Sequence, residues 1–228
     1  MKKSKRNKKI LEVVSEDKQY SFEEAVETLK QCPEVKFDQT IEISMKLGAD
    51  PKKSDQQVRG GVTLPYGTGK KILVTVFAKG NKVKEALEAG ADFAGAEELL
   101  AKVKGGWTDF SAVVATPDMM REVGKLGKIL GPRGLMPTPK AGTVTADVAG
   151  AVKAIKGGKI EFKIDKSGVI NGIVGKLSFA SEKIVENIKV FVQAINKAKP
   201  SSVKGVYIKS VVLSSTMGPG LKIEAQNI

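Results

Sequence analysis

The chain reads as α+β and α/β: a discontinuous, split β-α-β-like α+β domain with a three-layer α/β, Rossmann-like domain inserted into it. Three observations predict this. Strict apolar/polar alternation, the mark of strands with one wet face, runs through residues 40–47 and returns after residue 159. A near-continuous apolar run at 72–78, typical of a strand covered on both faces, opens a stretch where short strands and helices alternate. Glycine-rich joints separate the two patterns: Pro65, Gly67 and Gly69 on one side and Gly157 and Gly158 on the other, placed as hinges. The expected domains are residues 1–66 with 160–228, and residues 67–159.

Residues 2–9 carry six positive charges and no negative one, and read as a flexible basic arm, either a solubilising tail or an RNA contact. Ser21 opens a helix, with Glu24 placed for a capping box and Phe22, Ala25, Val26 and Leu29 at helical spacing; Pro33 ends it. The strand at 40–47 sets Ile41, Ile43, Met45 and Leu47 on one face and Thr40, Glu42, Ser44 and Lys46 on the other. Phe37, beside Lys36 at the strand's entrance, belongs to a residue type found more often in a core than stacked on a base. A second strand is expected at 58–64.

In the inserted part the pattern predicts helices at 82–89, 96–104 and 146–156, strands at 72–78, 92–94 and 112–115, and a helix opened by Pro117. Beyond it, Ile160, Phe162 and Ile164 face one way, and residues 165–168 form a hairpin turn into a strand at 169–174. Ser181 caps a long helix whose apolar stripe includes Ile184, Ile188, Phe191 and Ile195. A strand at 206–215, a turn at 216–220 and a last strand at 221–225 complete the chain.

Composition narrows the function. A net charge of +13 and a pI near 9.6 form an electrostatic footprint suited to nucleic acid. Most of that charge is lysine, which attracts phosphate as a point charge and suits bidentate base reading less well than arginine. No apolar run approaches the roughly 18 residues of a membrane span, and the basic N-terminus lacks the apolar segment of a secretory signal, so no membrane partner and a cytoplasmic location are expected. Histidine is absent, and Cys32 is the only cysteine, best read as a small apolar filler at a helix end. No catalytic residue, metal site or cofactor is therefore expected. Gly69-Lys70 fails as a phosphate loop, since Leu64 stands where its first glycine belongs and Lys71 where a hydroxyl should meet magnesium. The segment after residue 78 has one glycine where a dinucleotide fingerprint needs three. A nucleotide-utilising α/β enzyme would need such a loop and an acid–base residue; a general nucleic-acid chaperone would need only the charge.

Residues 124–143 stand apart: a short amphipathic helix ends at Gly131, and Pro132, Pro137 and Pro139 stiffen the loop that follows. Gly134 and Gly142 supply backbone conformations other residues resist, and Lys128, Arg133 and Lys140 are presented with no acid between Glu122 and Asp147. Two readings fit: a solvated surface connection, or a rigid platform for a polyanion.

The run from Gly124 through Pro137, Gly-Lys-Leu-Gly-Lys-Ile-Leu-Gly-Pro-Arg-Gly-Leu-Met-Pro, resembles the signature of the bacterial L-one family, the first protein of the large ribosomal subunit and of its stalk. Lys36-Phe37-Asp38, Asp50-Pro51, Arg59-Gly60, the segment 204–209 and Thr216-Met217-Gly218 are similar to the family in the same order. The resemblance implies an rRNA surface of Lys36, Phe37, Thr40, Glu42, Lys46, Lys163, Ser210, Thr216, Met217 and Gly218, shared with the chain's own operon mRNA. It implies a secondary RNA or exit-site tRNA contact through Lys128, Arg133 and Lys140, and a chain that is monomeric when free. Three positions depart from the family pattern: Asn171 where histidine is common, Lys163 where arginine is usual, and Thr138 where asparagine is frequent.

Overall fold

The computed structural model describes residues 4–15, 18–33 and 35–224. It divides into two compact units, Met1–Gly69 with Ile160–Ile228 and Lys70–Lys159. Helix α1 (Lys5–Val13) begins at Ser4, whose Oγ accepts the Asn7 N–H at 3.2 Å. This helix replaces the flexible arm expected there. Ile10 and Val14 are buried in the outer unit's core, and that anchorage orders the basic turns before them. Residues 2 and 3 lie outside the described residues.

Helix α2 (Phe22–Gln31) starts as its capping pattern required, with Ser21 Oγ accepting the Glu24 N–H at 3.1 Å. Cys32 follows as a buried filler whose Sγ donates to the Thr28 carbonyl; burial pushes its thiol pKa up. Strand β1 (Thr40–Leu47) keeps the predicted alternation, and β2 (Arg59–Thr63) is shorter than expected. The inner unit runs β3 (Val74–Phe77), α3 (Asn81–Glu88), β4 (Phe93–Gly95), α4 (Glu97–Lys104) and β5 (Ala112–Ala115). Short α5 (Met120–Val123) and α6 (Gly127–Leu130), joined by 3-10 turns, lead to α7 (Val148–Lys156). The chain then forms β6 (Lys159–Lys163), β7 (Val169–Lys176), α8 (Ser181–Lys197), β8 (Ile208–Ser215) and β9 (Gly220–Lys222).

The inner sheet is parallel, in the order β4-β3-β5. Alternation along β3 sends Val74 and Val76 into one cluster with Ala86, Val148, Val152 and Ile155, and Phe77 into another with Leu99, Val103, Val123, Leu126 and Leu130. Both sheet faces are therefore covered by helices, which makes three layers. The outer sheet, β7-β1-β8-β9, is antiparallel at every described pairing. Because β7 and β8 both run against β1, they are parallel to each other, joined through α8 with β1 lying between. That is a split β-α-β arrangement. Helices α2 and α8 bury Leu29, Ile184, Ile188 and Phe191 with Ile41, Ile43 and Met45 in one core. The opposite sheet face of β1 stays open.

Two local expectations fail. Residues 165–168 do turn the chain, but β6 and β7 do not form a hairpin: β6 pairs with β2 in a separate two-stranded sheet, and β7 pairs with β1. The turn is satisfied locally, since the Asp165 carboxylate accepts from the Ser167 N–H (2.8 Å), the Ser167 hydroxyl (2.6 Å) and the Val169 N–H (3.0 Å). Each flanking strand is left to take another partner. Ser181 does not cap α8, whose N-cap position is Ala180; its Oγ instead accepts Lys30 Nζ at 3.1 Å, tying α8 to α2. No helix among the described residues is long and apolar enough to cross a membrane.

At the joints, Gly67 (φ +62°), Gly69 (φ +72°) and Gly158 (φ +99°) use left-handed backbone, while Gly157 ends α7 at φ −73°. Fully buried Asn187 accepts the Tyr66 N–H at 3.3 Å and donates to the carbonyls of Gly67 (3.1 Å) and Val174 (2.8 Å). The first joint is thus pinned to α8 up to Gly67.

Candidate nucleic-acid interface

Register decides which side chains share the open face of the outer sheet, because directly opposed residues point the same way. Glu42 faces Ile173 on β7 and Ser214 on β8; Ser44 faces Asn171 and Val212; Lys46 faces Val169 and Ser210. Lys222 of β9 stands opposite Val212, extending the same row. Glu42, Lys46 and Ser210 are exposed. Ser44 Oγ donates to Asn171 Oδ1 at 2.7 Å, which leaves the Asn171 amide N–H groups facing outward on an exposed residue. The face mixes donors, acceptors and cations on a backbone fixed by two neighbouring strands.

One end of this face is closed by the turn after β8. The Thr216 N–H donates to the Thr40 carbonyl (3.0 Å), and Thr216 Oγ1 accepts the Thr40 N–H (3.0 Å). Gln39, only 3% exposed, accepts the Met217 N–H on its side-chain oxygen at 3.0 Å. Met217 is held by its backbone with its thioether in the open, 54% exposed. Gly218 packs so tightly that a Cβ there would meet Ser215 Oγ at 2.2 Å. Thr40 Oγ1 also accepts Lys176 Nζ at 3.0 Å, and that ammonium reaches the Asp38 carbonyl at 3.3 Å.

The bend holding Lys36 and Phe37 is fastened by Asp38, which accepts from the Ser178 hydroxyl at 2.9 Å and the Ser178 N–H at 3.3 Å. Both Lys36 and Phe37 are exposed, Phe37 by 53%. The usual core placement of a phenylalanine is overturned here: the ring projects from a bend fastened on its far side. Lys36, Phe37, Thr40, Glu42, Lys46, Ser210, Thr216, Met217 and Gly218 are therefore gathered by β1, β8 and the two segments bonded to them.

Lys163 is not on this sheet. It lies on β6 and lines a cleft of about 670 Å³ with Lys52, Lys166, Pro51, Gln57, Ile164 and Asp165. The Ser167 hydroxyl and the Val169 N–H hold the Asp165 carboxyl below the usual carboxylate range. It is thus an internally bonded anion in a cleft that three lysines help to line. Sequence reasoning missed Gln39, Lys176 and Lys222, whose parts depend on register and on long-range hydrogen bonds that no local pattern carries.

In the inner unit, the signature is helical to Leu130, with Leu126 and Leu130 buried and Lys128 exposed between them. Gly134 and Gly142 both adopt φ +69°. Thr143 closes the following loop on itself: its Oγ1 accepts the Thr138 N–H (2.8 Å) and donates to the Thr138 carbonyl (3.2 Å). Exposed Arg133 donates through Nη1 to Thr108 Oγ1. The Lys140 side chain lies outside the described residues. Among the described residues no cluster of His, Cys, Asp or Glu could hold a metal ion.

A split α+β unit with an open polar face, interrupted by a three-layer α/β unit, defines a two-domain class of protein. The profile of the Ribosomal protein L1p/L10e family matches residues 28–219, and the chain belongs to that family. A protein named large ribosomal subunit protein uL1 from Protochlamydia amoebophila is 66% identical over 221 residues, 97% of this chain and 94% of its own. Proteins of the same name from Chlamydia pneumoniae and Kosmotoga olearia are 60% and 54% identical over 227 residues, 100% of this chain and 98% of theirs.

Proposed function

We propose that the chain is a structural, non-enzymatic constituent of the large ribosomal subunit that binds large-subunit rRNA through the open face of its outer sheet. The observation that carries this reading is the convergence of Thr216, Met217 and Gly218 on the start of β1, hydrogen-bonded to Gln39 and Thr40 beside exposed Phe37. RNA helices are read across a shallow groove through shape, phosphates and 2′-hydroxyls. A fixed face of hydroxyls, amides and one carboxylate suits that surface: Glu42 accepts from a 2′-hydroxyl, and Lys36 and Lys46 meet phosphate. Lys163, with Lys52 and Lys166, takes phosphate at the adjoining cleft.

The finer roles follow from the same reading. The protein forms the mobile stalk at the tRNA exit site and assists release of deacylated tRNA, with Lys128, Arg133 and Lys140 as the secondary contact. Of the expected hinge residues, Gly69, Gly157 and Gly158 take up the turning, and Pro65 and Gly67 form the base of the first hinge, held to α8 through Asn187. The rRNA face also binds the operon mRNA and represses its translation, and the free protein is a monomer, working on the ribosome in the cytoplasm. The deciding experiment is binding to a short rRNA stalk fragment against an unrelated hairpin, titrated in salt. A preference for the stalk fragment that survives high salt is expected; equal, salt-fragile binding to both would leave only charge-driven association and overturn the reading.

A further inference from the structure

We infer that the inner unit carries a stacking site for an unpaired RNA nucleobase, formed by Phe93 and Trp107 beside Lys102. It rests on the RNA-binding reading and extends it to a contact of a different kind. Phe93 lies on β4, one of the two edge strands of the inner sheet, and is 37% exposed. An edge strand is ordinarily blunted with charge; this one presents an aromatic ring. Trp107 meets it edge to face, with centroids 4.8 Å apart and planes at 85°. Behind Trp107, Phe110 packs at 5.3 Å and is buried, so the pair is braced from the core. Phe93, Trp107 and Lys102 line a cavity of about 400 Å³.

Packing alone accounts for Phe110. It does not account for leaving a phenylalanine and an indole open to a cavity that a lysine side chain helps to line. The occupant must offer a flat apolar face and a negative charge nearby, and a nucleotide offers both. Base–aromatic stacking tolerates any base, since every base has a π-face. A second cation is already in place: Arg133 is held by its hydrogen bond to Thr108, the residue after Trp107. The signature that bears Arg133 has no acid between Glu122 and Asp147. Glu98, one helical turn before Lys102, and Asp109 temper the local charge. The rings therefore supply the affinity, and Lys102 and Arg133 orient the phosphates.

Trp107 is the only tryptophan in the chain, so its fluorescence reports the site directly. The full-length protein would be titrated with a single-stranded oligouridylate of eight nucleotides, and with an abasic oligonucleotide of equal charge. Saturable quenching by the oligouridylate, at least about fivefold tighter than by the abasic strand, is expected from one stacked base. Phe93→Ala should weaken binding about tenfold at that signal. Lys102→Ala, an exposed change on α4 remote from the core, should weaken it less while leaving the base-dependence intact. Equal quenching by both strands, no quenching, or quenching unchanged in Phe93→Ala would each overturn the inference. Met217→Asp separates this site from the sheet-face reading. It should leave the tryptophan signal unchanged, and a quenching signal that vanished with that substitution in the other unit would assign the RNA contact elsewhere.

Discussion

The open face of the outer sheet and the signature loop of the inner unit are both basic, both exposed and both stiff, but they are stiff for different reasons. On the sheet, cross-strand partners on β7 and β8 fix the direction of Glu42, Ser44 and Lys46. A neighbouring turn is bolted to the same strand through Gln39 and Thr40. In the signature, prolines, two left-handed glycines and the Thr138–Thr143 hydrogen bonds hold the backbone. Of its described cations only Arg133 carries a side-chain hydrogen bond that directs it. The first region can discriminate among ligands by shape. The second mainly supplies directed charge.

The largest effect should come from breaking that asymmetry. Met217→Asp places a carboxylate where the proposed reading brings the thioether to RNA, and should lower affinity for the stalk fragment by about a hundredfold or more, with a native circular dichroism spectrum. The double variant Arg133→Ala with Lys140→Ala should leave that affinity within about threefold, and instead slow tRNA release in a translocation assay. Equal losses in the two variants would mean that the two surfaces do not differ as argued.

The same asymmetry explains how much could be read in advance. Alternation at 40–47 told which residues of β1 are wet, because a period of two needs only neighbouring residues to be visible. The inner strand β3, Val74–Phe77 within the apolar run at 72–78, was legible for the complementary reason, that burial on both faces erases the alternation. The partner of β6 was not legible. A tight turn between two alternating segments looks the same whether they pair with each other or with β2 and β1, and only long-range competition for edges decides. The helix at 5–13 was hidden by its charge: Ile10 and the capping Val14 are its main anchors, and the four cations Lys5, Arg6, Lys8 and Lys9 outweigh those two buried apolar residues in any local average. Phe37 was misjudged because a type preference cannot see that Asp38 and Ser178 fasten the bend on its other side.

A smaller effect is expected at Gly218. Alanine there brings a Cβ to 2.2 Å from Ser215 Oγ, so the turn must shift. Gly218→Ala should weaken stalk-fragment binding about tenfold. Ser215 Oγ is buried with no hydrogen-bond partner, so removing it forfeits little. Adding Ser215→Ala to Gly218→Ala should therefore restore most of the affinity. A double variant as weak as the single one would show that Gly218 is needed because the RNA itself approaches the backbone there. The specificity of the sheet face would then lie in the turn more than in the strands.

The smallest effect compares the two units through their bonded carboxylates. Asp165 is held below the usual carboxylate range by the Ser167 hydroxyl and the Val169 N–H, and Asp92 by the Val74 N–H and then Lys156, whose Nζ lies 3.2 Å away. A folded-state pKa depressed below the unfolded one contributes stability that is complete above the unfolded value, near 4, and is lost as pH falls through the folded value. Asp165→Asn and Asp92→Asn should each lower the melting temperature by a few degrees at pH 7, with the gap to the parent closing below about pH 4. Salt separates them. The Asp92 gap should shrink at high ionic strength because Lys156 supplies part of it through charge, whereas the Asp165 gap, made by hydrogen bonds within one turn, should persist. Gaps that ignore pH would mean that shape and not charge holds both strands. The turn at 165–168 would then owe its divergence from a hairpin to the pull of β1 and β2 alone.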